Sequence, residues 1–158
     1  SLGSGDVELL KRLVDAVGKL PYRALFNVGS NLEQYTDLPD NVIVSDWYPQ
    51  PSVIAQVDAV IHHGGNNSFT ECLYFGKPAI VMSYVWDGHD NAMRAQETGH
   101  GFRMDRYQWD ETELADKLAL CVGDQTMAAR LAATSQYMSS RKGPEDAARI
   151  LNGVLNNA

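Results

Sequence analysis

The densest cluster of reactive side chains in this sequence is His63-Gly64-Gly65-Asn66-Asn67-Ser68-Phe69-Thr70-Glu71. The apolar run Ala59-Val60-Ile61-His62 feeds directly into it. Glycines let the backbone turn tightly and let a ligand approach the main chain. A helix that begins here points its free N–H groups, and the positive end of its dipole, at whatever lies beyond its start. Asn67 and Ser68 add side-chain donors, His63 adds another, and Gly65 and Asn66 supply backbone between them. This chemistry suits a phosphate or diphosphate; an ordinary glycine turn with an Asn or Ser helix cap is the competing reading. Glu71 lies a turn further along the same helix face. A carboxylate near phosphate needs donors of its own, and the two hydroxyls of a ribose are suitable; helix capping is the alternative.

Two further clusters stand where strands should end. Trp47, Tyr48 and Gln50 follow the β-branched run Val42-Ile43-Val44, on a loop stiffened by Pro49 and Pro51. An indole there is a stacking platform for a nucleobase, or else a core tryptophan. Gln50 would reach a ribose or base, or simply face water. After Ala79-Ile80-Val81-Met82 come Tyr84, Trp86, Asp87, Gly88, His89, Asp90 and Asn91. A carboxylate beside aromatic rings can hold a sugar, the carboxylate on hydroxyls and the ring on the C–H face. His89 and Asp90 lack a third ligand at metal spacing. His63, beside an anion cradle, reads as a phosphate donor rather than a general base. No Ser–His–Asp set, Walker A sequence or GxGxxG motif occurs.

The elements that must position these residues alternate along the chain. Asp6 caps a helix whose Val7, Leu10, Leu13, Val14 and Val17 share a face. Strands are expected at 22–28, 42–44, 59–62, 79–82 and 101–104. Helices are expected at 68–75, 90–98, 111–122, 125–139 and 144–156, with a short amphipathic segment ending near residue 56. Alternation of this kind predicts a mostly parallel sheet with helices on both faces, a Rossmann-like three-layer α/β sandwich. Such sheets bind ligands beyond the carboxyl ends of their strands, where the reactive residues lie. Met127, Tyr137 and Met138 read as core.

With 158 residues, the chain fits a single domain spanning residues 1–158. Thirteen Lys and Arg against twenty Asp and Glu give a net charge of -7, which argues against general nucleic-acid binding. Cys72 and Cys121 sit in apolar helical patterns and are expected to be buried free thiols. No stretch approaches the roughly 20 apolar residues that span a bilayer. The expected compartment is the cytoplasm.

Together these motifs resemble the carboxyl-terminal half of the UDP-glycosyltransferases, whose fold is the two-domain GT-B type. The resemblance rests on Trp47-x-Pro49-Gln50, His63-x-Gly65-x-Asn67-Ser68-x-x-Glu71, Gly76-x-Pro78, Asp87-x-x-x-Asn91-Ala92 and Arg141-Lys142-Gly143-Pro144. It implies that Trp47 stacks on uracil, Gln50 bonds the ribose and Glu71 takes both ribose hydroxyls. It places His63, Asn67 and Ser68 on the diphosphate, with Ser4 a further contributor, and Asp87 on the transferred sugar. Gly88 stands where the family usually has Gln, which leaves the sugar open. The implied function is UDP-sugar donor binding in an inverting transfer to an acceptor hydroxyl, without a cofactor or metal. An amino-terminal domain, absent from this chain, would supply the acceptor pocket and the catalytic histidine, so the chain alone is expected to be inactive. Three alternatives stay open: a subunit of a naturally split transferase, a dTDP-sugar enzyme and an epimerase. Exposure of the face meant for the absent domain predicts self-association.

Overall fold

A computed structural model describes residues 5–156. Helix α1 (Val7–Gly18) starts at Asp6, whose side chain accepts from the Leu9 N–H, as the sequence predicts. Its buried Leu9, Leu13, Ala16 and Val17 recur every three or four residues and form the face turned to the core. Strand β1 (Ala24–Asn27) pairs in parallel with β2 (Val42–Ser45), and a short 3-10 helix, Gly29–Gln34, lies between them. After α2 (Gln50–Ile54), strands β3 (Val60–His62), β4 (Ala79–Val81) and β5 (Gly101–Arg103) form a second parallel sheet in that spatial order. Its crossovers are α3 (Asn66–Tyr74) and α4 (Asp87–Glu97). Helices α5 (Glu111–Gly123), α6 (Gln125–Ser140) and α7 (Gly143–Asn156) complete the chain.

The expected parallel α/β fold is present, but the strands form two sheets rather than one. The pairs β1–β2 and β3–β4–β5 still share a core. Ala24 and Phe26 on one sheet and Ile61 on the other pack against the cluster of Leu13, Ile80, Met82 and Leu114. Strand β4 is buried on both faces, as a central parallel strand must be. Ile80 and Met82 meet α1 and α5, whereas Ala79 and Val81 meet α2, α3 and α4 residues such as Ile54, Phe69, Cys72 and Ala92. The alternation along one strand thus divides the helices into two layers.

Cys72 and Cys121 are buried free thiols, each pushed up to about 12 by burial. Met127 is core, as expected, but Tyr137 is exposed. Helix α7 buries none of its residues and presents Ile150, Leu151, Val154 and Leu155 outward. Among the described residues, no helix is long and apolar enough to cross a membrane.

Candidate nucleotide-diphosphate site

Helix α3 begins at Asn66, two residues before the sequence-based expectation. Gly65 explains the earlier start: it is extended (φ -58°, ψ 144°) and serves as the N-cap without a side-chain bond to the helix. The Phe69 N–H is the first to bond back, to the Gly65 carbonyl at 3.1 Å. The amides of Asn66, Asn67 and Ser68 are therefore the unpaired first-turn donors of this helix. They lie just past the carboxyl end of β3.

The glycine turn is held closely. Gly64 has φ +90°, and a Cβ there would stand 2.7 Å from the Gly88 Cα and carbonyl oxygen. Its carbonyl accepts from Asn91 Nδ2 at 2.8 Å, and its N–H donates to His62 Nδ1 at 2.9 Å. A Cβ on residue 65 would stand 2.6 Å from His63 Nε2, so the glycine lets the imidazole lie over the turn. Gly88 is buried, and a Cβ there would stand 2.8 Å from the His63 carbonyl oxygen. A side chain here would press on the glycine turn, so this close backbone approach suits the glycine that stands where the family usually has Gln. Helix α4 starts at Asp87 rather than near residue 90, and its amino-terminal backbone packs directly on the turn. The preceding Trp86 makes this approach with a left-handed backbone (φ +46°) and is 79% exposed.

A second group assembles beside α3. Gln50 Nε2 donates to Glu71 Oε2 at 2.6 Å and to Ser68 Oγ at 3.1 Å. This amide joins the start of α2 to α3 and leaves Glu71 Oε1 without a hydrogen-bond partner among the described residues. Trp47 is 69% exposed, so it is not a core tryptophan; Trp109 fills that role. Ser45 Oγ accepts from the Trp47 N–H at 3.3 Å and donates to the Trp47 carbonyl at 3.0 Å, fixing the loop after β2. The Tyr48 hydroxyl is buried without a hydrogen-bond partner among the described residues, and burial raises its pKa. Asp87 stands close enough to His63 to favour the imidazolium by its charge. His89 Nδ1 is engaged by Ser83 Oγ at 2.8 Å. Ser4 lies outside the described residues.

Sequence reasoning missed Arg106, the one charged residue that is buried among those described, at 7% exposure. Its Nε and Nη2 donate to Asp6 Oδ2 at 3.2 and 3.1 Å, and its Nη1 donates to the Met82 carbonyl at 3.3 Å. Tyr107 Oη also donates to Asp6 Oδ2, at 3.1 Å, and Tyr84 lies under the guanidinium with 4.8 Å to its ring centre. The network ties the start of α1 to the carboxyl ends of β4 and β5. The available signal was an arginine placed shortly after the strand ending near residue 104.

Burial works against the charged form of His62, His63 and His100. Burial, with the charge of His63 beside it, lowers His62 to about 4. Burial and Arg106 lower His63 against the opposing pull of Asp87. Burial and Arg130 lower His100, whose ring nitrogens meet Thr98 and Thr134 hydroxyls at 2.7 Å. In the unfolded chain these rings take up protons near pH 6.5, whereas the folded chain resists protonation. The unfolded state then binds more protons, so stability rises with pH through this window. The melting temperature is expected to fall as pH drops from about 6.5 toward 4; an unchanged or higher melting temperature at pH 5 than at pH 7 would contradict this.

A parallel α/β domain with an uncapped helix start at the carboxyl end of a strand is the architecture of a nucleotide-binding half of the GT-B glycosyltransferases. The chain belongs to a specific family within that class: residues 11–154 match the Erythromycin biosynthesis protein CIII-like, C-terminal domain. It is 26% identical over 136 residues to UDP-glucosyltransferase 2 of Dactylopius coccus, covering 85% of this chain and 26% of that protein. It is 27% identical over 149 residues to aclacinomycin-T 2-deoxy-L-fucose transferase of Streptomyces galilaeus, covering 93% of this chain and 34% of that protein. The crystal structure of a spinosyn rhamnosyltransferase complexed with thymidine diphosphate superposes with a TM-score of 0.79 at 27% identity. The match covers 91% of this chain and 40% of that one. The chain thus spans between a quarter and two fifths of the length of these relatives.

Proposed function

We propose that this chain is the donor-binding domain of an inverting glycosyltransferase that moves a sugar from UDP to an acceptor hydroxyl. The observation that carries the reading is the uncapped start of α3, three free amides beyond a glycine turn with His63 over it. Bound there, a diphosphate accepts from Asn66, Asn67 and Ser68 and faces the positive end of the helix dipole. The acceptor oxygen attacks the anomeric carbon as the bond to the diphosphate oxygen breaks. The acceptor proton passes to a base on the other domain, and UDP leaves with the bonding pair. Helix amides aimed at the diphosphate stabilise the charge that grows on it.

In this reading Trp47 stacks on the base, and Gln50 and Glu71 hold the ribose, with Glu71 Oε1 free to accept from a hydroxyl. Asp87 and the N-terminal turn of α4 face the sugar, and Ser4 belongs with His63, Asn67 and Ser68 on the diphosphate. The UDP preference rests on Glu71, because a ribose offers it a 2′-hydroxyl that a deoxyribose lacks. Thymidine diphosphate in one structural relative makes dTDP the reading to test against it. Calorimetric titration with UDP and dTDP distinguishes them. UDP is expected to bind more tightly, Trp47→Ala to weaken both by about 1–3 kcal/mol, and Glu71→Gln to narrow the difference. No change in either variant would contradict the assigned roles.

The acceptor pocket and catalytic base are assigned to a separate amino-terminal domain, and residues 1–158 to one donor domain that transfers little alone. The apolar face of α7 supports a missing partner surface, since Ile150, Leu151, Val154 and Leu155 lie in the open. In the isolated chain this face is expected to drive self-association; sedimentation that stays monomeric at high concentration would contradict it. Free buried thiols at Cys72 and Cys121 suit a reducing, cytoplasmic compartment.

A further inference from the structure

His62 is the last residue of β3 and has no part in the reading above. Its ring is unusual for the end of a half-buried strand. Nδ1 accepts the Gly64 N–H at 2.9 Å, so the ring proton resides on Nε2. That Nε2 is buried and has no hydrogen-bond partner among the described residues. An unpaired buried donor costs about 1–3 kcal/mol, which an aliphatic side chain at the same place would avoid. The ring must therefore do something that an aliphatic side chain cannot, and its one bond is to Gly64.

Gly64 is also gripped from its other end, where Asn91 Nδ2 donates to its carbonyl at 2.8 Å. One side chain at the end of β3 and one on α4 thus fix both polar groups of a residue at φ +90°. With those groups engaged, the orientation of the next turn is set, and that turn carries the Asn66, Asn67 and Ser68 amides. We propose that His62 is a positioning residue: its Nδ1, opposite Asn91, clamps Gly64 so that the first-turn amides of α3 face a nucleoside diphosphate. The proposal rests on the diphosphate reading of the site. The clamp itself is a property of the free chain.

The test separates the two ring nitrogens. The Asn oxygen can take the place of Nδ1, whereas the Gln side chain reaches the place of Nε2. His62→Asn is expected to keep UDP affinity within about threefold of the parent, while His62→Gln and His62→Leu lose at least about tenfold. Nitrogen-15 ring spectra of the unliganded parent chain should show Nδ1 as the unprotonated acceptor. Gly64 amide exchange should be slow in the parent and in His62→Asn, and fast in His62→Leu. Parent-like affinity in a folded His62→Leu, equal losses in folded His62→Asn and His62→Leu, or a proton on Nδ1 would each overturn the clamp. If the parent binds neither UDP nor dTDP, the diphosphate reading fails. The ring spectra and Gly64 exchange then decide the clamp alone: a protonated Nδ1, or exchange that ignores the substitution, overturns it.

Discussion

Replacing Asp6 with alanine is expected to cost about 3–5 kcal/mol of folding stability, the range for breaking a buried ion pair by removing one partner. Arg106 is buried and, among the described residues, has one carboxylate within reach, Asp6 Oδ2 at 3.1 Å. Removing that carboxylate strands a guanidinium in the interior. It also removes the cap of α1, where Asp6 Oδ1 accepts from the Leu9 N–H at 3.2 Å, a bond worth about 1 kcal/mol. The carboxyl itself reports the balance. Burial pushes its pKa up, but bonds from Leu9, Tyr107 and Arg106 outweigh burial and hold it below the usual carboxylate range. Asp6→Asn keeps an oxygen for the Leu9 N–H but turns an amide NH2 toward Arg106 and Tyr107, so it spares only the cap and its loss should be smaller by about 1 kcal/mol. Urea denaturation of the parent and both variants measures the order. A loss under about 1 kcal/mol for Asp6→Ala would mean that Arg106 is solvated on unpairing and that the network is not structural.

The second large effect is on binding. Gly64→Ala is expected to weaken nucleotide affinity by at least about 100-fold. A Cβ at this position meets main-chain atoms of Gly88 at 2.7 Å, and neither backbone can rotate away as a side chain could. An alanine at φ +90° is also strained by about 1–2 kcal/mol in its own right. The least damaging relaxation separates α4 from the glycine turn. That movement breaks the Asn91 bond to Gly64 and turns the first amides of α3. Gly123→Ala is the control, because a Cβ there has nothing within 4 Å. Calorimetry on the two variants makes the comparison, and near-parent affinity in Gly64→Ala would show that the turn is not the cradle.

Much of this arrangement was legible in the sequence, and the gaps have physical causes. Asp6 could be read as a cap because its acceptor bond is local, three residues along the chain. Its bond to Arg106 spans 100 residues, and no local pattern encodes such a partner. The strands could be read because β-branched runs end in turn residues: β1, β3, β4 and β5 fall within the expected segments, and β2 runs one residue further, to Ser45. Their division into two sheets depends on which edges meet, a long-range property. Helix starts were misplaced where glycine or strained backbone replaced a side-chain cap. Gly65 starts α3 at Asn66, and Trp86 starts α4 at Asp87.

The candidate site divides in the same way. Gln50 and Glu71, both expected at a ribose, are hydrogen-bonded to each other, and the same Gln50 amide reaches Ser68, expected at the diphosphate. Placing His63 beside two glycines agrees with the ring lying over Gly65. Gly88 looked like a lost sugar contact, and its backbone contact with His63 was invisible because it joins two loops 25 positions apart. In the sequence His62 is only the end of the apolar run that feeds the glycine turn. Its bond to Gly64 depends on a positive φ that the sequence only permits.

The central claim is that the first turn of α3 receives a nucleoside diphosphate, and amide NMR during titration with UDP tests it most directly. The account predicts that the largest shifts fall on the N–H groups of Asn66, Asn67 and Ser68, with the Trp47 indole N–H moving in parallel at the same UDP concentration. Binding that leaves those three amides unmoved, or no binding of UDP or dTDP at millimolar concentration, would contradict it.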